Sequence, residues 1–425
     1  CALVPTRHAK PKHKMSEEKK TDAVVPRKIW YAPNKFEAYG EEEIKAVTDC
    51  LRAGWLAPGP RTAEFEEKVS TFFGKKFGVF VNSGSSANVL AMHMAGCKEG
   101  DEVITPSCTF STVVAPMKQM RIKPVFCDVE LSTFVPTVDA VLACITEKTK
   151  AIMLPNLAGS KPDWKALRER LPRQDIVLIE DSCDTMTYTK ESDISVISFY
   201  ASHVMTAGGG GGMVMCNTKK QKDMALMYRD WGRIGNNSED MSKRFAHDVD
   251  GIKYDFKFLY GVVGYNFKST EMNAAFGLVQ LKKLPKFLEI RRKNVARYLE
   301  NLKDTPLRLP KDTEEINWLA LPLLAPPGER VAIMNHLEDN GVQTRVFFAG
   351  NITRHPAYRE YLIETHKNAD IIMRDVFMLG AHHGIGLKQV DYVCDVLKSY
   401  FQKKKDGTLK TSAPTGGNKD DACDF

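Results

Sequence analysis

The chain has 425 residues, of which 43% are hydrophobic, and carries a formal net charge of +7. That length buries a large core and suits two domains, while the excess charge sits mostly at the ends: residues 1–28 hold eight Lys/Arg against three acids, and residues 401–425 hold five Lys against four Asp. The middle is therefore almost neutral, which excludes a nucleic-acid surface, and the ten scattered cysteines form no CxxC pair, which excludes a zinc site or disulfide scaffold and suits a reducing cytosol.

In chain order, residues 1–28 read as a disordered basic tail with no apolar signal segment, and Met15 stands as a candidate start. From about 76 to 216, short apolar runs alternate with amphipathic stretches: "FGVFV", "SSANVLAMHMAG", "EVITP", "STVVAPMKQM", "KPVFCDV", "KAIMLP", "DWKALRERL", "DIVLIED", "DISVISFY" and "GGMVM". Strands alternating with helices predict an α/β fold around a mainly parallel sheet, with ligands beyond the carboxyl ends of the strands. The run 194–218 carries no Asp, Glu, Lys or Arg. Its five glycines, His203 and several Ser/Thr make two strands and a loop a better reading than a membrane span. After 217 the texture turns helical: Met272, Ala275, Phe276 and Val279 recur at helical spacing, Pro285 is expected to interrupt, and "KFLEIRRKNVARYLENL" continues as a long helix. Residues 315–402 read as a smaller mixed α/β lobe, and 403–425 as a second disordered tail.

Three stretches bear on chemistry. In "VNSGSSANVL" a strand ends and a helix opens on Ser and Gly, which offers free N–H groups and hydroxyls to a phosphate. "IVLIEDSCDTM" brings Glu180 and Asp181 to the end of a buried strand over 176–179, with Asp184 one turn further. "TPSCTFSTVV" places Phe110 just past another strand end, where a ring can stack on a flat ligand. Taken singly, these are equally well an N-cap, a helix cap and a core phenylalanine.

Their order is more informative. A phosphate cup, an aromatic, a strand-end aspartate, then "SFYASH" and a glycine loop is the order of parts in fold-type-I pyridoxal phosphate (PLP) enzymes. With "FEEKVSTFFG", "GYNFKSTEMNAAFGLVQL" and "FAGNITRHPAY", the chain resembles the DegT/DnrJ/StrS family of sugar aminotransferases and dehydratases over about residues 30–402. The resemblance implies a large PLP-binding domain (29–280) built on a seven-stranded sheet and a small C-terminal α/β domain (281–402). It implies that Gly84, Ser85 and Ser198 hold the phosphate, that Phe110 stacks on the pyridine ring, and that Asp181 pairs with the ring nitrogen. Asp184 would sit near the ring hydroxyl, and Asn266 would reach the phosphate from a neighbouring subunit, making the enzyme a homodimer with shared sites.

Counting five residues on from Ser198, where the family's aminotransferases keep an imine-forming lysine, gives His203, and no lysine occurs between Lys190 and Lys219. Imidazole shuttles protons near neutrality but forms no stable imine with an aldehyde. The exchange marks the nucleotide-linked 4-keto-6-deoxyhexose 3-dehydratases of deoxysugar and lipopolysaccharide synthesis, with His203 as the catalytic base and pyridoxamine phosphate (PMP) regenerated by glutamate. "DWGRIGNNSEDMSKRF" has no cysteine, so no iron–sulfur cluster is expected. Relatives carry a glutamate in the glycine loop, whereas this chain reads "TAGGGGG". Arg345 and Arg354 are candidates for the substrate diphosphate. The expected protein is cytoplasmic and free of nucleic acid, membrane and metal. The alternatives are a nucleotide-sugar aminotransferase and an inactive paralogue that acts as a scaffold.

Overall fold

A computed structural model describes residues 28–33, 38–235, 244–311 and 316–409. Seven strands form the central sheet: β1 (Phe77–Val81), β2 (Glu102–Pro106), β3 (Lys123–Cys127), β4 (Thr149–Pro155), β5 (Val177–Asp181), β6 (Ile194–Ser198) and β7 (Gly212–Cys216). Their spatial order is β1-β7-β6-β5-β4-β2-β3. The β2/β3, β2/β4, β4/β5 and β5/β6 pairs are parallel, and β7 is antiparallel to both β6 and β1. The strands are almost wholly buried, because helices cover both faces, and this explains why they read as continuous apolar runs rather than alternating ones.

This topology gathers the site. The carboxyl ends of β1, β2, β4, β5 and β6 share one edge, and β7 starts there because it runs the other way. Ser198 at the end of β6 pairs with Gly212 at the start of β7, so the whole 199–211 loop closes on that edge. The helix Gly84–Met94 opens directly after β1, and its N-cap Ser83 accepts from Ser86 N at 3.1 Å.

The smaller lobe is a three-stranded antiparallel sheet in which Val376–Gly380 lies between Ala320–Leu324 and Thr344–Val346. The helices Arg330–Asp339, Lys367–Asp375 and Leu387–Lys405 accompany it. Four sequence expectations change. The helix Glu271–Leu302 runs unbroken through Pro285, because Leu284, Phe287, Arg291, Val295 and Tyr298 form one buried stripe on both sides of it. Consequently the expected domain boundary at 280/281 falls inside a helix. The expected C-terminal tail loses 403–405 to the last turn of Leu387–Lys405, while residues 1–27 and 410–425 lie outside the described residues. Between Lys219–Arg229 and Glu271–Leu302 the described chain is mostly loop, with a hairpin (His247–Val249, Ile252–Tyr254) and one short 3-10 turn (Phe256–Phe258), rather than long helix. Among the described residues no helix is long and apolar enough to cross a membrane.

Candidate functional site

A cavity of about 690 Å³ opens at the shared strand edge, between the large sheet and the small lobe. Gly84, Ser85, Phe110, Asp181, Asp184, Ser198, His203 and Arg345 all line it. Residues as far apart in sequence as Gly84 and Arg345 therefore meet at one place.

Strand periodicity separates the two acids that end β5. Glu180 turns into the interior, where it accepts from Asn156 Nδ2 (2.7 Å), Ser195 Oγ (2.9 Å) and Ser192 Oγ (3.1 Å). Asp181 points the other way, to the cavity, and accepts from Asn88 Nδ2 and Cys183 N, each at 2.9 Å. Burial raises its carboxyl above the usual range, with those two donors pulling it back. Asp184 accepts from Ala158 N at 3.3 Å, and burial, followed by the charge of Asp181, pushes it up to about 7. Two neighbouring carboxyls of this kind are stabilised as anions by a cation placed between them, such as a protonated ring nitrogen.

The opposite end suits an anion. Gly84 and Ser85 open the first turn of a helix, where N–H groups lack intrahelical acceptors, and the hydroxyl of Ser198 stands alongside. A Cβ on Gly84 would come within 2.7 Å of Ser198 Cβ, so only glycine lets the helix start this close to β6. Phe110 lies at the N-cap of the helix Ser111–Gln119, half exposed at 50%, and borders the same cavity. A phosphate at one end, a flat ring in the middle and a basic nitrogen at the other match this donor set.

His203 sits in the loop after β6, its N–H donating to Tyr200 O at 3.0 Å. Its Nδ1 lies 3.3 Å from Ser198 O. A carbonyl only accepts, so that contact keeps the proton on Nδ1 and leaves the lone pair on Nε2. His203 forms part of the cavity wall, and burial lowers its pKa to about 4, with Arg291 adding to the effect and the carbonyls of Ser198 and Cys183 opposing it. It is thus a neutral base throughout the neutral range. Among the described residues no lysine lines the cavity.

Two sequence candidates lie elsewhere. Arg354 is held by Asp370 through Nε, outside the cavity, so its guanidinium is already paired. Asn266 is exposed, its backbone bridges the buried Asp230, and it is not in the cavity lining of its own chain. Sequence reading missed Tyr31, Cys183, Tyr200 and Ser202 in the lining and Asn88 behind Asp181. Asn88 had a legible signal, since it stands four residues after Gly84 and so on the same helix face.

Comparison with known proteins extends these observations. The model of the DegT/DnrJ/EryC1/StrS aminotransferase family matches residues 37–398. The dTDP-4-dehydro-2,6-dideoxy-D-glucose 3-dehydratase of Saccharopolyspora spinosa is 34% identical over 85% of this chain and 85% of its own. A GDP-perosamine synthase of Vibrio cholerae is 29% identical over 84% of this chain and 96% of its own. Among solved structures, the E. coli GDP-4-keto-6-deoxy-D-mannose-3-dehydratase with bound hydrated PLP superposes with a TM-score of 0.77 at 25% identity, covering 87% of this chain and 99% of that one. With the fold, the cavity and a match across most of its length in agreement, the chain belongs to the DegT/DnrJ/EryC1/StrS aminotransferase family.

Proposed function

We propose that the chain is a PLP/PMP-dependent 3-dehydratase acting on a nucleotide-linked 4-keto-6-deoxyhexose, in deoxysugar synthesis for a surface polysaccharide such as lipopolysaccharide. The observation that carries this reading is the cavity lining itself, which among the described residues holds His203 and no lysine. Bound there, pyridoxamine phosphate supplies an amino group for the keto carbon and an electron reservoir that lets a neighbouring hydroxyl leave. Gly84, Ser85 and Ser198 hold its phosphate, Phe110 lies against its ring, and Asp181 keeps its ring nitrogen protonated, with Asp184 beside it. His203 takes a proton at Nε2, which is free for this because Nδ1 faces the Ser198 carbonyl. Arg345, in the cavity lining, receives the substrate diphosphate, and glutamate restores the amino group. The protein works as a cytoplasmic homodimer, without an iron–sulfur cluster.

The relationship to GDP-perosamine synthase favours aminotransfer as a second reading. It requires a lysine that bonds the aldehyde. Borohydride reduction of the PLP-loaded protein separates the two: no cofactor covalently retained is expected, and a reduced lysine adduct sinks the dehydratase. Incubation with glutamate, cofactor and a panel of nucleotide-linked 4-keto-6-deoxyhexoses is expected to yield ammonia, 2-oxoglutarate and a 3-deoxy sugar. If PLP binds but no panel member loses its hydroxyl or gains an amino group, the scaffold reading takes over.

A further inference from the structure

Tyr31 forms part of the cavity wall, and several independent contacts fix the segment around it. Ile29 bridges Val342, donating to Gly341 O and accepting from Gln343 N, each at 2.8 Å. Trp30 O lies 3.0 Å from His382 Nε2, and Tyr31 N donates to Gln343 Oε1 at 3.1 Å. The backbone also packs on Gly380, where a Cβ would come within 2.7 Å of Trp30 O and 2.9 Å of Tyr31 O. Tyr31 is therefore delivered to the cavity by a backbone pinned on both sides.

Its phenol borders the same cavity as Asp184, His203 and Arg345. The Arg345 guanidinium stands over the ring, with Cζ 5.6 Å from the centroid. Arg291 acts from behind: it is 1% exposed, donates from Nη1 to Leu319 O at 2.8 Å, and has no partner for Nε or Nη2 among the described residues. Burial first, then the charge of Asp184, hold the phenol well above its ordinary range, and the two guanidiniums offset this only in part. Tyr31 is therefore a permanent donor rather than a base. Yet among the described residues its only acceptor is the sulfur of Met378 at 3.7 Å, a weak one. Such an O–H contributes little to the fold and is preorganised for a ligand oxygen.

We propose that Tyr31 determines specificity at this site by donating to the carbon-3 hydroxyl of the bound hexose, the group that distinguishes substrate from product. The assignment rests on the 3-dehydratase reading above. It places the donor at the reacting end, because Tyr31 shares Arg291 as an electrostatic neighbour with His203 and Asp184 as a neighbour on the cavity wall. A fixed buried donor discriminates against a ligand that lacks its acceptor, since the donor is then left unpaired. The deoxygenated product is accordingly held more weakly than the substrate.

The test is a binding cycle on the full chain in its PLP form without glutamate, so that keto sugars bind unchanged. The probes are GDP-4-keto-6-deoxy-D-mannose and dTDP-4-dehydro-2,6-dideoxy-D-glucose, each beside its 3-deoxy counterpart, titrated by calorimetry into wild type and Tyr31→Phe. The variant is expected to bind the hydroxylated sugar about ten-fold more weakly and its 3-deoxy counterpart within about two-fold of wild type. Equal weakening of both ligands, or of neither, overturns the assignment of Tyr31 and leaves the enzymatic reading standing. Wild-type protein that binds neither pair overturns the nucleotide-sugar reading, and Tyr31's role falls with it.

Discussion

At the scale of single residues, the site works by withholding water from two ionisable groups, His203 and Asp184. His203 protonates at its ordinary 6.5 in an unfolded chain but only near 4 in place, so it remains a base where a solvated imidazole is half charged. The acid limb of kcat/KM is therefore expected well below pH 6; a midpoint at 6.5 overturns the burial-lowered pKa of His203. His203→Lys is expected to give a borohydride-reducible bond to the cofactor and to lower dehydration by about 10²-fold or more. An unchanged rate shows that His203 is not the base. Asp184 affects stability in the opposite pH sense to His203. Its folded pKa of about 7 lies above the unfolded 3.8, so the folded state holds the extra proton between these values and loses stability as pH rises through that window. Urea unfolding of the cofactor-free protein is expected to show Asp184→Asn gaining on wild type from pH 4 to 7, by something of the order of 2 kcal/mol after allowance for solvent in the cavity. A difference that stays constant with pH removes Asp184 as the titrating group.

Among the elements, the five-glycine loop shows how one repeated letter covers several physical demands. Gly208, Gly209 and Gly211 have φ of +72°, +98° and +116°, the left-handed region where side chains are strained. Gly212 is extended but crowded: a Cβ there would lie 2.3 Å from the Ser83 carbonyl carbon and 2.5 Å from Gly84 N. Gly210 has neither constraint, its nearest neighbour being Asn82 O at 3.8 Å. Gly212→Ala is expected to destabilise by about 2–4 kcal/mol and to weaken PLP binding by displacing the 83–85 turn, whereas Gly210→Ala should stay within about 1 kcal/mol of wild type. Equal effects in urea melts of the two variants remove this account of the loop. The same contrast shows what the sequence makes legible. Strands β1 to β7 were readable because each is a short apolar run ended by polar residues, and the cavity residues at their ends followed from the topology of parallel sheets. Pro285 misled because local helix-breaking is overridden by the buried stripe on either side of it. Arg345 and Arg354 looked alike because nothing local reveals that Asp370, sixteen residues on, takes one of them. Tyr31 was invisible for a related reason: its place depends on a bridge to Val342 and on the missing side chain of Gly380.

For the whole molecule, the surface beside Asn266 bears on the proposed dimer. Trp231, Ile234, Phe258, Tyr260 and Val263 are 39%, 53%, 47%, 58% and 94% exposed, an apolar area of the kind that marks association. Asn266 belongs to the same surface and is absent from the cavity lining of its own chain, so we assign its proposed phosphate contact to a second subunit. Val263→Asp places a charge in that area and is expected to shift the protein toward monomer in sedimentation equilibrium, with cofactor retention falling in parallel. Subunit mixing examines the shared site more directly. His203→Asn removes the base of a subunit's own cavity, and Asn266→Ala removes the contact lent to its neighbour. In a heterodimer of the two, one cavity carries both defects while the other combines an intact His203 with an intact Asn266. Equal mixing after dissociation makes half the dimers hetero, each with one wild-type site, so activity is expected to rise from near zero to about a quarter of wild type. If Asn266 instead serves its own chain, the His203-bearing cavity of the heterodimer lacks the asparagine, and mixing restores nothing.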